Sequence, residues 1–112
     1  MTLQIDIQDI VSINELLNDK QHTVIDANRQ HDILSSYMYY STIKQQICSV
    51  FKQTIKNHAF IDANKRTALL TLIMLANQYN LHIVISDDEM FILIQQIAIT
   101  DYAIDDIVSK IF

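Results

Sequence analysis

The sequence predicts an all-α protein, a compact bundle of five to six helices around one central buried helix. Apolar residues recur at helical spacing along almost the whole chain. Half of the 112 residues are apolar, enough for a single core. We therefore expect one domain over residues 1–112. The chain contains no glycine and no proline, so helix ends must be inferred from other residues.

Six segments carry the helical pattern. Their expected ranges are about 7–17, 30–39, 42–56, 63–79, 86–99 and 105–111. Ser86 followed by Glu89 is a capping-box pattern that begins the fifth helix. Asn18, Asn57 and Asn80 follow the first, third and fourth helices, where asparagine can replace glycine in the left-handed conformation that ends a helix.

The fourth segment is apolar around much of its surface, so we expect it to be the central helix. Residues 19–28 are polar and weakly periodic, and we interpret them as a loop or a short hairpin, which could form a short extended flap. Residues 81–85 are apolar and partly β-branched, which makes them a second candidate for extended chain.

Charge and cysteine usage exclude several classes of protein. The net charge of −5 argues against direct nucleic-acid binding, which needs excess basic charge. Cys48 is the single cysteine, so no disulfide forms within a monomer and a reducing compartment is expected. No signal peptide is visible, and the apolar stretch 90–99 is interrupted by Gln95 and Gln96. We expect a cytoplasmic protein without a membrane segment.

Basic residues are concentrated in one part of this acidic chain. Five of the eight lie between Ser41 and Arg66, where there is one of the thirteen acids. Such a concentration favours a small anionic ligand. For Lys44, Lys52 and Lys56, an ordinary solvated helix face is the alternative.

The start of the fourth helix has the properties of a phosphate site. The first amides of a helix have no partners within the helix and carry the positive end of its dipole, so they bind anions readily. Lys65 and Arg66 follow at once and can add charge-assisted contacts to phosphate oxygens. Asn64 supplies a further polar group in the same turn. An exposed basic helix face is the simpler interpretation of these residues.

The loop before that helix carries candidate chemistry. His58 can take a proton from a hydroxyl near neutral pH. Asp62 can hold a magnesium ion that bridges phosphates, although a plain N-cap is the alternative. Phe60 between them is expected to anchor the loop in the core. A partial copy of this segment at residues 22–29, His-Thr-Val-Ile-Asp-Ala-Asn-Arg, is interpreted as coincidence.

Residues 58–66, His-Ala-Phe-Ile-Asp-Ala-Asn-Lys-Arg, resemble the Fic/Doc family signature His-x-Phe-x-(Asp/Glu)-(Gly/Ala)-Asn-(Gly/Lys)-Arg. Lysine in place of the second glycine, followed by Thr67-Ala-Leu, is similar to the Doc (death-on-curing) branch. Ile13-Asn14 and the order of helices agree in outline. Ala59 stands where many relatives have proline.

The resemblance implies a Fic-like fold and a toxin of a toxin–antitoxin module. Such a toxin is a kinase that transfers the γ-phosphate of ATP to a threonine of elongation factor Tu, which stops translation, and a Phd-type antitoxin neutralises it. The resemblance makes His58, Asp62 and Arg66 the catalytic residues, with Asp62 as the Mg²⁺ ligand. Asn64, Lys65 and Arg66 would bind the phosphates of ATP.

Two other functions are left open by the sequence. In the Fic branch, whose members transfer AMP, a glycine at the position of Lys65 leaves room for the other phosphates of the nucleotide. Lysine there should favour the reversed orientation of ATP, so Lys65 separates a kinase from a Fic-type AMP-transferase. The other alternative is a catalytically silent subunit that binds an antitoxin.

Overall fold

The computed structural model describes residues 2–18, 27–60 and 63–112. Within them the chain forms six α-helices and one short 3₁₀ helix, and no β-strand. The helices are α1 (Ile7–Leu17), α2 (Ala27–Ile33), α3 (Ile43–Lys56), α4 (Asn64–Gln78), α5 (Asp87–Ile99) and α6 (Ile104–Ile111); the 3₁₀ helix, Tyr37–Tyr39, lies between α2 and α3. The predicted all-α bundle is confirmed.

Three helices begin at side-chain caps. Asp6 accepts from the amide of Gln8 at the start of α1, and Thr42 accepts from Gln45 before α3. Ser86 accepts from the amide of Glu89 at 3.2 Å, which confirms the predicted start of α5. Each cap satisfies an amide that lacks a partner within its helix.

A left-handed asparagine was predicted after three helices, and one of the three predictions, at Asn80, was correct. Asn80 has φ 55°, and the amides of Asn80 and Leu81 bond to the carbonyls of Asn77 and Ala76, as in a Schellman motif. Asn18 has φ −109° and Asn57 has φ −83°, so neither is left-handed and both predictions were wrong. After α3 it is the next residue, His58, that takes positive φ.

The second helix differs from its predicted range of 30–39. It begins at Ala27, inside the segment expected to be a loop, and ends at Ile33. At its end the Ser35 hydroxyl donates to the carbonyl of Asp32 at 2.8 Å. Serine side chains compete with helix bonds in this way, and the chain continues as a turn and the 3₁₀ helix. The rest of the predicted flap, residues 19–26, lies outside the described residues.

The central helix is α3 and not α4, as the sequence had suggested. α3 packs against α2, α4, α5, α6 and the 3₁₀ helix, whereas the main contacts of α4 are with α3 and α1. Leu70 and Ile73 on α4 are 41% and 38% exposed. The apolar surface of α4 is therefore divided between the core and an open groove on its other side.

Residues 81–86 form an irregular connection rather than a strand, tied to α6 by the amide of Val84, which donates to the carbonyl of Ile111 at 2.8 Å. Among the described residues, no helix has the length and apolar character needed to cross a membrane.

Buried polar side chains fix the N-terminal segment and α1 on the bundle. Gln46, on α3, accepts from the amide of Leu3 at 2.8 Å and donates to the carbonyl of Tyr40 at 2.9 Å. Asn14, fully buried on α1, donates to the Thr67 hydroxyl on α4 at 3.0 Å. Since a buried polar group without a partner is costly, these bonds specify how α1 and α4 meet.

Candidate active site

The loop between α3 and α4 is bounded by two left-handed residues. His58 has φ 48° and Ala63 has φ 63°, both unusual for residues other than glycine. Phe60, between them, is 1% exposed and belongs to the core, consistent with the anchoring role predicted for it. The side chain of Asn64 brackets Phe60, because its oxygen accepts from the Phe60 amide at 3.2 Å and its nitrogen donates to the Phe60 carbonyl at 3.0 Å.

This bracing defines where α4 begins. Asn64 was predicted to bind phosphate, and here its amide holds the loop. Asp62, the predicted magnesium ligand, and Ile61 lie outside the described residues.

The amino end of α4 is suited to an anion. Its N-cap residue, Ala63, has no side-chain oxygen with which to cap the first amides. Its first turn carries Lys65 and Arg66 and no acid. α6 also starts at an alanine, Ala103, but Asp105 and Asp106 occupy its first turn. At α4 the dipole and the side-chain charges therefore both attract an anion, whereas at α6 the two acidic side chains oppose the attraction of the dipole.

An open pocket of about 450 Å³ lies at this helix start. That volume falls in the range of small-molecule sites. The lining residues come from α3, the loop, α4 and α5: Ile55, His58, Ala63, Asn64, Lys65, Arg66, Leu69, Phe91, Ile94 and Gln95. Four of the predicted site residues, His58, Asn64, Lys65 and Arg66, thus line one cavity.

Three of the polar lining residues have exposed side chains. His58 is exposed, and its imidazole makes no hydrogen bond to any other described residue. Arg66 is also exposed and forms no ion pair within the described ranges. The Lys65 ammonium donates to Oε1 of Gln95 at 3.2 Å. A base and two cations therefore face the same space.

The other basic residues of the 41–66 region have structural partners. Lys56 donates to the carbonyls of Ile97 and Thr100 at 3.1 and 2.6 Å, at the carboxyl end of α5. Lys52 bonds to the Asp101 carboxylate at 3.0 Å and to the Tyr102 carbonyl at 2.7 Å.

Lys44 lies 5.8 Å from the centre of the Phe112 ring, a cation–π contact. The positive charge of Lys56 at the carboxyl end of α5 complements the negative end of the dipole of that helix. The charge concentration thus points to an anion only through Lys65 and Arg66.

The described residues of the partial copy, 27–29, do not line this pocket. Asn28 and Arg29, its described polar residues, are exposed on α2 and do not line the cavity. Residues 22–26 lie outside the described ranges.

A second cavity of about 460 Å³ adjoins the first. Leu69, Phe91 and Ile94 line both. The remaining lining residues are Ile73, Ile83, Ile85, Asp87 and Met90. The two cavities form one continuous groove between α4 and α5, charged at the loop and, apart from Asp87, apolar beyond it.

Sequence reasoning missed the wall that α5 contributes. Phe91 and Gln95 are four residues apart on α5 and so share a face. The signal available was Gln95 itself, a polar residue inside an apolar run. It was used only to exclude a membrane span.

No group of three or more His, Cys, Asp or Glu side chains among the described residues could hold a metal ion. With Asp62 outside those residues, its predicted role as a Mg²⁺ ligand stays a prediction.

A family model, the Fic/DOC family, matches residues 4–76. The match covers well over half of the chain and includes the whole of segment 58–66, so the protein belongs to the Fic/DOC family. Members generally transfer nucleotide-derived groups to proteins and typically use ATP with Mg²⁺. No curated protein and no solved structure was found to match the chain.

Proposed function

We propose that the protein is an ATP-dependent protein kinase of the Doc type, which transfers the γ-phosphate of ATP to a protein hydroxyl. The observation that carries the proposal is the pocket at the start of α4, which is lined by His58, Lys65 and Arg66 and lies where the helix begins at Ala63, a residue with no capping side chain. Phosphoryl transfer requires positioning and charge stabilisation more than covalent chemistry from the protein.

The residues have complementary roles in this reaction. His58 accepts the proton of the target hydroxyl, whose oxygen forms a bond to the γ-phosphorus while the bond between that phosphorus and the leaving ADP oxygen breaks. Lys65, Arg66 and the first amides of α4 stabilise the charge on the transferred group. The exposure of His58 suits a base that must reach a hydroxyl on another protein.

Lys65 supports phosphate transfer over AMP transfer. Its side chain lies at the pocket and reaches α5, where it bonds to Gln95. A glycine at this position would leave that space empty for further phosphates of the nucleotide, as the family resemblance implies for AMP-transferases.

Magnesium would be held by Asp62 together with oxygens of the nucleotide, and it would neutralise phosphate charge. The described residues alone do not form such a site.

We further propose that the target is a threonine of elongation factor Tu and that the protein is a cytoplasmic toxin. Its partner would be a Phd-type antitoxin. The apolar cavity that adjoins the pocket supports the antitoxin proposal, since Phe91, at 65% exposure, leaves apolar surface uncovered beside the site.

The test compares ATP labelled at the α- or the γ-phosphorus, with purified elongation factor Tu as acceptor. We expect label from γ-labelled ATP in the acceptor and none from α-labelled ATP. Transfer of the α-label instead would show an AMP-transferase.

A His58→Ala variant separates an enzyme from a silent binding subunit. It should lose both transfer and growth inhibition in a bacterial host, while His31→Ala, a change at an exposed histidine of α2, keeps both. Growth inhibition by His58→Ala equal to that of the unmodified protein would remove catalysis from the explanation.

A further inference from the structure

Gln95 is distinctive among the residues that line the pocket. Among the described residues, it is the one polar lining residue contributed from outside segment 58–66. Its oxygen accepts from the Lys65 ammonium at 3.2 Å, so the bond joins two residues that line the pocket, one on α5 and one on α4. Within the described part of the chain, its amide nitrogen has no partner.

The neighbouring Gln96 provides a natural contrast. It is next in sequence, but it lines a different cavity together with Glu89 and Lys110. Adjacent residues of a helix point about 100° apart, so one glutamine faces the nucleotide pocket and the other does not. Because Gln95 and Gln96 are the same residue type on the same helix, Gln96 is a matched control for Gln95.

A neutral amide is the acceptor that keeps Lys65 useful for binding an anion. An ammonium has three donors, and one bond to Gln95 leaves two for phosphate oxygens. A carboxylate at the same place would hold the ammonium as well but would cancel its charge. Since a free lysine side chain loses considerable rotamer freedom on binding, a side chain already held in place binds at lower entropic cost.

We propose that Gln95 is a positioning residue, which holds the Lys65 ammonium over the pocket so that it meets the phosphate chain of the nucleotide. The inference depends on the proposed function in one respect, namely that the anionic ligand is a nucleotide.

The contact itself is tested without ligand. In NMR spectra of the full-length protein, the side-chain amide resonances of Gln95 should shift in Lys65→Met and stay in place in Lys110→Met. The Gln96 amide should be unaffected by Lys65→Met. A Gln95 amide that does not respond to Lys65→Met would overturn the proposal.

The role is tested by ATP binding, measured by calorimetry. Gln95→Ala should weaken binding roughly threefold, as expected for loss of one exposed polar contact. Gln95→Glu should weaken it about tenfold through its added negative charge. Gln96→Ala, the matched control, should bind ATP like the unmodified protein.

A double-mutant cycle separates positioning from a general structural effect. In a Lys65→Met background, Gln95→Ala should cause no further loss of affinity, because the side chain that it positions is gone. Additive losses would refute the positioning role, and so would an unmodified protein that binds no ATP.

The two proposals can fail separately. Phosphate transfer by the unmodified protein, with ATP affinity unchanged in both Gln95 variants, would leave the kinase intact and refute the role of Gln95. ATP binding that depends on Gln95, without any γ-phosphate transfer, would support the role of Gln95 and refute the kinase.

Discussion

Ala63, with φ 63° and ψ 25°, carries a conformation that glycine adopts without strain. The left-handed region costs a residue with a Cβ about 1–2 kcal/mol. Replacement by glycine removes that cost. The loop offers a matched control in Ala59, which is also buried and does not have positive φ.

Both substitutions carry the same penalties. Each removes one buried methyl group, about 0.8 kcal/mol, and each adds about 0.5–1 kcal/mol of chain entropy to the unfolded state. Ala59→Gly should therefore lower the free energy of unfolding by about 1.5 kcal/mol. In Ala63→Gly the relief of strain offsets most of this loss, so its stability should stay within about 0.5 kcal/mol of the unmodified protein.

Urea unfolding followed by circular dichroism measures both free energies of unfolding. The informative quantity is the difference between the two variants, expected to be about 1–2 kcal/mol in favour of Ala63→Gly. Equal destabilisation by the two substitutions would refute the claim that Ala63 is strained. Ala63→Val provides a second check, because a β-branched residue is excluded from this conformation still more strongly and should cost more than 2 kcal/mol.

Three further predictions concern sites away from the pocket. Burial raises the pKa of the Cys48 thiol to about 12, so a thiol reagent at pH 8 should label it only when urea unfolds the protein. The second concerns Asp101, whose carboxylate accepts a hydrogen bond from the Lys52 ammonium. This bond and the charge of Lys52 lower the pKa of the Asp101 carboxyl from its ordinary 3.8. The pair should therefore stabilise the fold above pH 3.8, and the difference in Tm between the unmodified protein and Asp101→Asn should vanish as the pH falls below that value. Asn14→Ala should cost about 1–3 kcal/mol in urea unfolding by leaving the buried Thr67 hydroxyl without its donor, whereas the exposed Ser12→Ala should cost less than about 0.5 kcal/mol.

Helix starts were predictable where a cap lies next to its helix. Ser86 and Glu89 identified the start of α5, because the donor and the acceptor are three residues apart. Helix ends were less predictable. The sequence contains no glycine, and whether Asn57 or His58 takes positive φ depends on how the following loop is anchored.

The centre of the bundle could not be inferred from apolar periodicity alone. A helix that is apolar around most of its surface can be covered by protein on every side, or it can line an open groove. α4 does the second, with Leu69 shared by both cavities and Ile73 in the apolar one. Which outcome occurs depends on where the connection 81–86 and α5 return.

The concentration of basic residues at 41–66 was ambiguous in the same way, because a lysine there can bind a ligand or another part of the fold. Lys52 and Lys56 are close in sequence to Lys65, but Lys56 binds the carboxyl end of α5 and Lys52 binds the connection that follows it, in both cases more than 40 residues away. No local sequence pattern predicts a contact between residues so far apart in the chain.

The sequence by itself determined the all-α class and a helix start with a base before it and two cations in its first turn. These features depend on neighbours within about nine residues, as the span from His58 to Arg66 shows. Tertiary structure decided which cations remain available, made the pocket by placing α5 against the start of α4, and brought Gln95 to Lys65. The physical reason is that helix capping and dipoles act over one turn, whereas a cavity exists only where residues distant in the chain fail to fill the space between them.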